Sequence, residues 1–171
     1  MKWPMVKFKD LISERGVFSD GDWVESKDQD PDGGVRLIQL ADIGVAKFID
    51  KSSRFLTQEK AKELRCTFLR GGDILIARMP DPIGRACIFP EDMGDCVTVV
   101  DVCVVRPESD KVDSRWLMHL INSDGFKNQI SQHVTGTTRQ RISRGNLANL
   151  EIPLPPLAEQ QRIAAIDLAP F

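Results

Sequence analysis

Twelve residues, TGTTRQRISRGN at positions 135–146, hold the densest set of groups in the chain able to grip a polyanion. Thr135, Thr137 and Thr138 place three hydroxyls within four residues, and Arg139, Gln140, Arg141, Ser143, Arg144 and Asn146 follow. No carboxylate appears until Glu151. Hydroxyls, backbone N–H groups and arginines bind phosphate oxygens. Arginine and glutamine can also make two-pronged contacts with guanine and adenine edges. Gly136 and Gly145 let the backbone turn tightly or approach another backbone. The chemistry on offer is recognition of a nucleic-acid duplex. A polar linker is the alternative, although an idle linker rarely gathers arginine without acids to balance it.

A second candidate is ARMPDPIGRA (77–86), a turn stiffened by Pro80 and Pro82 and flanked by Arg78 and Arg85. A rigid loop loses less entropy on binding than a flexible one. A hairpin there could hold both arginines on one side toward DNA; equally, Arg78 could pair with an acid nearby.

Catalytic constellations are missing from the sequence. It has no G-x-x-x-x-G-K-[ST] loop, no G-x-G-x-x-G after a strand and no H-E-x-x-H. The two histidines, His119 and His133, complete no zinc spacing with Cys66, Cys87, Cys96 and Cys103, and no C-x-x-C occurs. Cysteines inside apolar strings such as VVDVCVV are expected as small buried hydrophobes. Asp73 and Asp101 could meet across a sheet around Mg²⁺, but Asp73 follows Gly-Gly, where an acid commonly caps a turn. DQDPDGG (28–34) opens like a calcium loop, yet Gln39 stands where a bidentate Glu is needed and Pro31 intrudes. An acidic surface loop closing on a turn is the simpler reading.

The formal net charge is −2 over 171 residues, with 42% hydrophobic and 28% charged residues, as in a soluble globular domain. Charge is unevenly placed. The stretch 19–34 holds six acids against one lysine, so the rest of the chain carries +3. A local field steers ligands more than a total does. The total excludes a protein that coats DNA generically and leaves room for a focused reader. No stretch reaches the roughly 18 apolar residues of a membrane helix, and MKWPMVKFKD lacks an apolar signal core. The expected compartment is the cytoplasm.

Several elements must position these groups. VRLIQL (35–40), RGGDILIAR (70–78), GRACIFP (84–90) and CVTVVDVCVVRP (96–107) read as strands, the last rich in β-branched residues. Short connections among the last three predict antiparallel neighbours and argue against a doubly wound parallel sheet. TQEKAKEL (57–64) reads as a helix capped by Thr57. DSRWLMHLINS (113–123) reads as another, capped by Asp113 or Ser114, with Trp116, Leu117, Leu120 and Ile121 on one face. Asp124-Gly125 then interrupts, and FKNQISQH forms a second short helix. The 135–145 loop, a short NLEI strand, PLPP and a proline-led helix in LAEQQRIAAIDL complete the chain. The expected fold is α+β: a mixed, largely antiparallel sheet with helices gathered toward the C-terminal end.

These segments, in this order, resemble one target-recognition domain of the specificity (S) subunit of type I restriction-modification enzymes. The resemblance lies in DGDWVESKDQDPDGGVRLIQLADIG (20–44), RGGDILIARMPDPIGRACI (70–88), TGTTRQRISRGNL (135–147) and IPLPPLAEQQRIA (152–164), and so covers nearly the whole chain. It implies a DNA target-recognition domain at 1–152 and, at 153–171, a proline-bounded junction with the start of a spacer helix. It implies reading of one half of a bipartite double-stranded site and no catalysis by this chain itself. The implied partners are a methyltransferase (M) subunit using S-adenosylmethionine to methylate adenine, and a restriction (R) subunit using ATP and Mg²⁺. The resemblance implies that no cofactor binds the recognition domain directly. The implied DNA contacts are Thr137, Thr138, Arg139, Gln140, Arg141 and Arg144, with Arg78 and Arg85 in the rigid loop. Leu157, Ile163 and Ile166 would face a partner helix or the methyltransferase subunit.

A complete subunit of that family has two recognition domains and two long helices. From Leu157 roughly a dozen residues extend about 18 Å, short for a ruler between half-sites. The sequence is therefore expected to be a fragment, a truncated product, or a half subunit that forms a homodimer on a palindromic site. Two other readings stand beside this one. The acidic 19–34 loop could occupy a partner's basic groove as an interaction or inhibitory module. Alternatively, the chain could be a piece of a fused restriction-methylation enzyme, although it has no N/D-P-P-[YF] methyltransferase motif.

Overall fold

The structure is a computed structural model and describes residues 2–166. Among the described residues nine short strands form three sheets. β1 (Met5–Lys7) pairs with β9 (Glu151–Pro153); β2 (Val17–Asp20), β8 (Val102–Arg106), β5 (Ile74–Ala77) and β6 (Ala86–Ile88) lie in the order β2-β8-β5-β6; β4 (Arg54–Leu56), β3 (Val35–Ile38) and β7 (Cys96–Thr98) lie in the order β4-β3-β7. The helices are α1 (Gln58–Glu63), α2 (Ser114–Ile121), α3 (Asp124–Ser131), α4 (Arg144–Ala148) and α5 (Leu157–Ile166). The fold is mixed α+β with four of the five α-helices among the described residues in the C-terminal part, as the sequence leads one to expect.

The apolar runs explain the layering. Side chains alternate across a strand, so ILIA in β5 sends Ile74 and Ile76 to one face and Leu75 and Ala77 to the other, and all four are buried. β8 divides likewise, with Cys103 and Val105 on the first face and Val102 and Val104 on the second. The four-stranded sheet is thus a middle layer. Its first face packs under Trp116, Leu117 and Ile121 of α2 and Phe126 of α3; its second packs against Ile38, Ile43, Phe89 and Cys96. A third cluster of Val35, Leu37, Leu56, Ala61 and Val97 closes the far side of the β4-β3-β7 sheet.

Capping follows the sequence. Thr57 accepts the Lys60 N–H at 3.1 Å, and Asp113, not Ser114, accepts that of Trp116 at 2.9 Å. The expected interruption falls at Asn122-Ser123 rather than at Asp124-Gly125, which begins α3, because Ser123 caps that helix by accepting the Phe126 N–H at 3.4 Å. Met118 is buried on α2 and Leu120 only half-buried.

Two expectations fail. CVTVVDVCVVRP is two strands, because turn 99–101 carries the chain from one sheet to another. The first of them, β7, runs parallel to β3, with Leu37 opposite Val97. The 135–145 loop is also shorter than expected: Ser143 accepts the Asn146 N–H at 3.0 Å and starts α4.

α5 is docked by an amide. Gln160 is fully buried; its oxygen accepts the Asp113 N–H at 2.7 Å, and its Nε2 donates to the Lys111 and Pro155 carbonyls at 2.9 and 2.8 Å. Of the expected partner-facing residues, Ile163 packs partly against the domain's own core, Leu157 is half-buried and Ile166 is 65% exposed. The last two residues of the expected helix, Asp167 and Leu168, lie outside the described residues.

Candidate nucleic-acid interface

The register of the sheets collects loops at one pole. Asp20 at the end of β2 lies opposite Cys103, and Ala77 at the end of β5 lies opposite Val102, so both strands finish where β8 begins. β6 starts at the same end, since Ile76 pairs with Ala86. β3 and β7 finish together, with Ile38 beside Thr98, and β4 starts beside Leu37. Hydrogen bonds join the two sheets there: Gly21 N–H donates to the Val102 carbonyl and Asp22 N–H to that of Thr98. Segments 21–29, 39–53, 78–85 and 99–101 therefore meet at this pole.

The basic segment joins them as a small hairpin. Thr135 and Arg141 exchange both backbone hydrogen bonds at 3.0 Å. Gly136 sits at φ +95°, and a Cβ there would lie 2.4 Å from the Arg139 carbonyl oxygen, so the turn requires glycine. Thr137, Thr138, Arg139 and Gln140 are exposed at the tip. Just beyond it, Ile142 is fully buried, and its N–H donates to the Arg78 carbonyl at 3.1 Å. One buried apolar residue thus anchors an exposed polar tip.

The carboxylates missing from 134–145 arrive from elsewhere in the fold. Arg141 is ion-paired with Asp101. Arg144 approaches Asp20 at 3.7 Å, donates to the Phe18 carbonyl at 3.3 Å and lies 6.0 Å from the Phe18 ring centroid. Arg144 opens α4, where the helix dipole disfavours a cation, and Asp20 offsets that. Among the described residues Arg139 makes no ion pair. Of the three arginines, it is the one with no carboxylate beside it among the described residues.

Arg78 and Arg85 stand differently from the expectation that they reach outward. Both are buried. Arg78 donates to the Ile142 and Val100 carbonyls at 3.1 and 2.6 Å and has Asp20 at 3.2 Å. Arg85 donates to four carbonyls: Ile43 at 2.6 Å, Met79 at 2.9 Å, Leu40 at 3.0 Å and Pro82 at 3.1 Å. Both guanidinium groups are committed to backbone oxygen inside the protein, so the turn they flank shows neither to solvent. They hold the loops instead.

Other candidate sites resolve into structure. Asp73 and Asp101 lie at opposite ends of β5 and β8 and do not meet. Asp73 takes both a 2.6 and a 2.7 Å hydrogen bond from Arg106 and caps its turn by accepting the Arg70 N–H at 2.8 Å. Among the described residues no group of His, Cys, Asp and Glu could hold a metal ion. Burial pushes the Cys66 and Cys96 thiols up to about 11 and Cys87 to about 12, against the thiolate a nucleophile or metal ligand needs. The acidic segment folds on itself. Asp28 accepts the Glu25 N–H at 3.0 Å, Asp30 that of Asp32 at 2.9 Å, and Glu25 the indole N–H of Trp23 at 3.0 Å. Trp23 is 69% exposed.

One buried carboxylate was not picked out from the sequence. Asp42 is fully buried and accepts from the N–H groups of Gln39, Lys51 and Ser52 at 2.8, 2.6 and 2.8 Å, and from the Ser52 hydroxyl. Burial pushes its carboxyl up, but the hydrogen bonds from Gln39, Ser52 and Lys51 together outweigh it and hold it below the ordinary aspartate range. A depressed folded-state pKa contributes stability above the unfolded value, and that stability is lost as pH falls through the folded one. We therefore predict that wild-type stability declines as pH drops below about 4, and that Asp42→Asn flattens this acid limb. Denaturant titrations at stepped pH check it; parallel acid limbs in the two proteins would remove Asp42 as a source of the dependence.

A firm α+β scaffold that gathers its loops at one pole, with a polar and basic hairpin among them, defines a recognition module. Residues 2–166 match the Type I restriction modification DNA specificity domain. The chain belongs to that family. It is 26% identical over 167 residues to the type I restriction enzyme MjaVIII specificity subunit of Methanocaldococcus jannaschii, covering 95% of this chain and 38% of that protein. It is 34% identical over 101 residues to the EcoAI specificity subunit of Escherichia coli, covering 57% of this chain and 17% of that protein. The chain thus spans less than two fifths of either relative. It also superimposes on the HsdS subunit from Thermoanaerobacter tengcongensis with a TM-score of 0.68 at 22% identity, covering 96% of this chain and 36% of the other. At that identity the likeness is one of fold. Among the described residues no helix is long and apolar enough to cross a membrane.

Proposed function

We propose that this domain reads one half of a bipartite double-stranded DNA site and directs an adenine methyltransferase partner to it, within a cytoplasmic restriction-modification assembly. It does no chemistry on DNA itself; S-adenosylmethionine belongs to the methyltransferase subunit, and ATP with Mg²⁺ to the restriction subunit. The observation that carries this reading is the exposed hairpin tip Thr137–Gln140 held on a buried anchor, in a chain of the specificity-domain family. Arg139 and Gln140 project to base edges, the threonine hydroxyls and Arg141 to phosphates, and Arg144 holds the flank. Residues 2–152 form the reader. The helix from Leu157 leaves it, fixed in direction by Gln160, with exposed Ile166 and half-buried Leu157 turned to a second helix or the methyltransferase subunit. The acidic segment spends several of its carboxylates on its own turns, which favours DNA reading over a groove-blocking role.

The test is to co-express the chain with the methyltransferase subunit encoded beside it and map the adenines that become methylated. Two half-sites at a fixed gap are expected, palindromic if two copies of the chain pair. Methylation at the same sites without the chain would refute the assignment.

A further inference from the structure

Segment 39–53 leaves β3 and returns as β4 without regular strand or α-helix, and free loops of that length are costly to order. This one is tied down from several sides. The buried Asp42 carboxylate gathers its two ends, and Arg36, 3.6 Å from Asp42, reaches on to Asp50 at 2.5 Å. From beneath, Arg85 donates to the Leu40 and Ile43 carbonyls. Ile43 bridges Phe48 to close a tight hairpin, and the Phe48 ring meets Phe89 edge-on at 5.5 Å. Gly44 N–H donates to the Lys47 carbonyl at 2.8 Å, and a Cβ on Gly44 would lie 2.7 Å from that oxygen. Ala46 takes φ +58°, a left-handed conformation that residues with a Cβ rarely adopt, and its N–H donates to the Ala86 carbonyl at 2.8 Å.

So much anchoring does not bury the tip. Val45 is 49% exposed, Ala46 and Lys47 are exposed, and Ile49 is 40% exposed. Single exposed apolar residues need no explanation, but a strained, pinned hairpin that presents them beside a lysine does. Its position supplies one. The 78–85 loop secures both projections: Arg78 at one end holds Ile142 behind the basic hairpin, and Arg85, with neighbouring Ala86, holds the 43–48 hairpin.

We infer that the Ile43–Phe48 hairpin is a second DNA-reading finger, with Val45 making an apolar contact to a base edge in the major groove and Lys47 anchoring a phosphate. Methyl groups of a small side chain complement the thymine 5-methyl, and an exposed lysine supplies a point charge to the backbone. The inference rests on the DNA-reading function proposed above.

The test uses the complex with the methyltransferase subunit and two duplexes of equal length: the site it methylates and a scrambled sequence. Lys47→Ala is expected to weaken both alike, about three- to tenfold, and to make the log–log salt slope shallower by roughly one. Val45→Ser is expected to leave the scrambled duplex unchanged and to lower discrimination at one base pair roughly fourfold, the equivalent of one buried methyl group. Thermal melts confirm that both variants fold. Arg139→Ala separates the two levels of argument. If it weakens binding while neither finger variant does, the second finger is wrong and the reader stands. If the wild-type complex does not distinguish the two duplexes, both fail.

Discussion

Replacing Arg139, Arg141 and Arg144 together by alanine is expected to reduce binding of the assembled complex to its DNA site by about a hundredfold near physiological salt. The reasoning starts from charge. Each phosphate neutralised contributes close to one unit to the log–log salt slope, so the slope should become shallower by roughly two to three. The three do not contribute alike. Arg141 and Arg144 already face Asp101 and Asp20, and binding a phosphate means sharing or leaving those carboxylates. Arg139 has no such competitor among the described residues, so Arg139→Ala alone should account for the largest single loss. The converse follows from the same geometry. Asp101→Asn frees Arg141 and should raise affinity for unrelated duplexes several-fold while narrowing the preference for the correct site. Filter-binding or anisotropy titrations across a salt series read both effects. Wild-type affinity and slope in the triple variant would remove this hairpin from the interface.

What the sequence made legible divides along physical lines. Strands buried on both faces announce themselves as unbroken apolar strings, and ILIA and VCVV were readable for that reason. Helix starts were readable at Thr57 and Asp113 because a cap and its target lie three residues apart. The division of 96–107 was not readable. VTVVDVCVV is β-prone throughout, and only the tertiary placement of turn 99–101 decides that the chain changes sheets there.

Charge was the least legible property. The run 134–145 contains no acid, yet the fold sets Asp20 and Asp101 against two of its arginines. Those partners lie 124 and 40 residues away along the chain and give no local signal. Arg78 and Arg85 looked like surface residues because prolines between them suggested an exposed turn. Long side chains can instead fold inward where unpaired backbone carbonyls accumulate, and irregular loops create such carbonyls. The proposed 43–48 finger is illegible in the sequence for a related reason. Val45, Ala46 and Lys47 have no distinctive motif, and what marks them is the rigidity imposed by Asp42 and Arg85, which only the assembled structure reveals.

Arg85 therefore carries the second large expectation, one of stability. Arg85→Met should cost about 4 kcal/mol, from four backbone carbonyls losing a charged donor at roughly 1–3 kcal/mol each, reduced by water reaching some of them. For a domain of this size that corresponds to a fall in Tm of about 10 °C. Replacing a buried ion pair by apolar residues can be harmless when both partners go. That escape is closed here, because the acceptors at Leu40, Ile43, Met79 and Pro82 are main-chain oxygens and remain after any substitution. Burial pushes the Arg85 pKa down, and Asp81 nearby partly opposes this, but an arginine starts so high that it stays charged at any pH where the protein folds. Lysine keeps the charge but not the planar fork, so Arg85→Lys should recover less than half of the loss. The consequence for function is the sharper readout. Arg85 ties the 79–82 turn to the 40–43 segment, so Arg85→Met should weaken DNA binding at temperatures where circular dichroism still reports a folded domain, without removing any surface charge. A variant that melts within about 2 °C of wild type would mean that water satisfies these carbonyls and that the loops of this pole are held by other contacts.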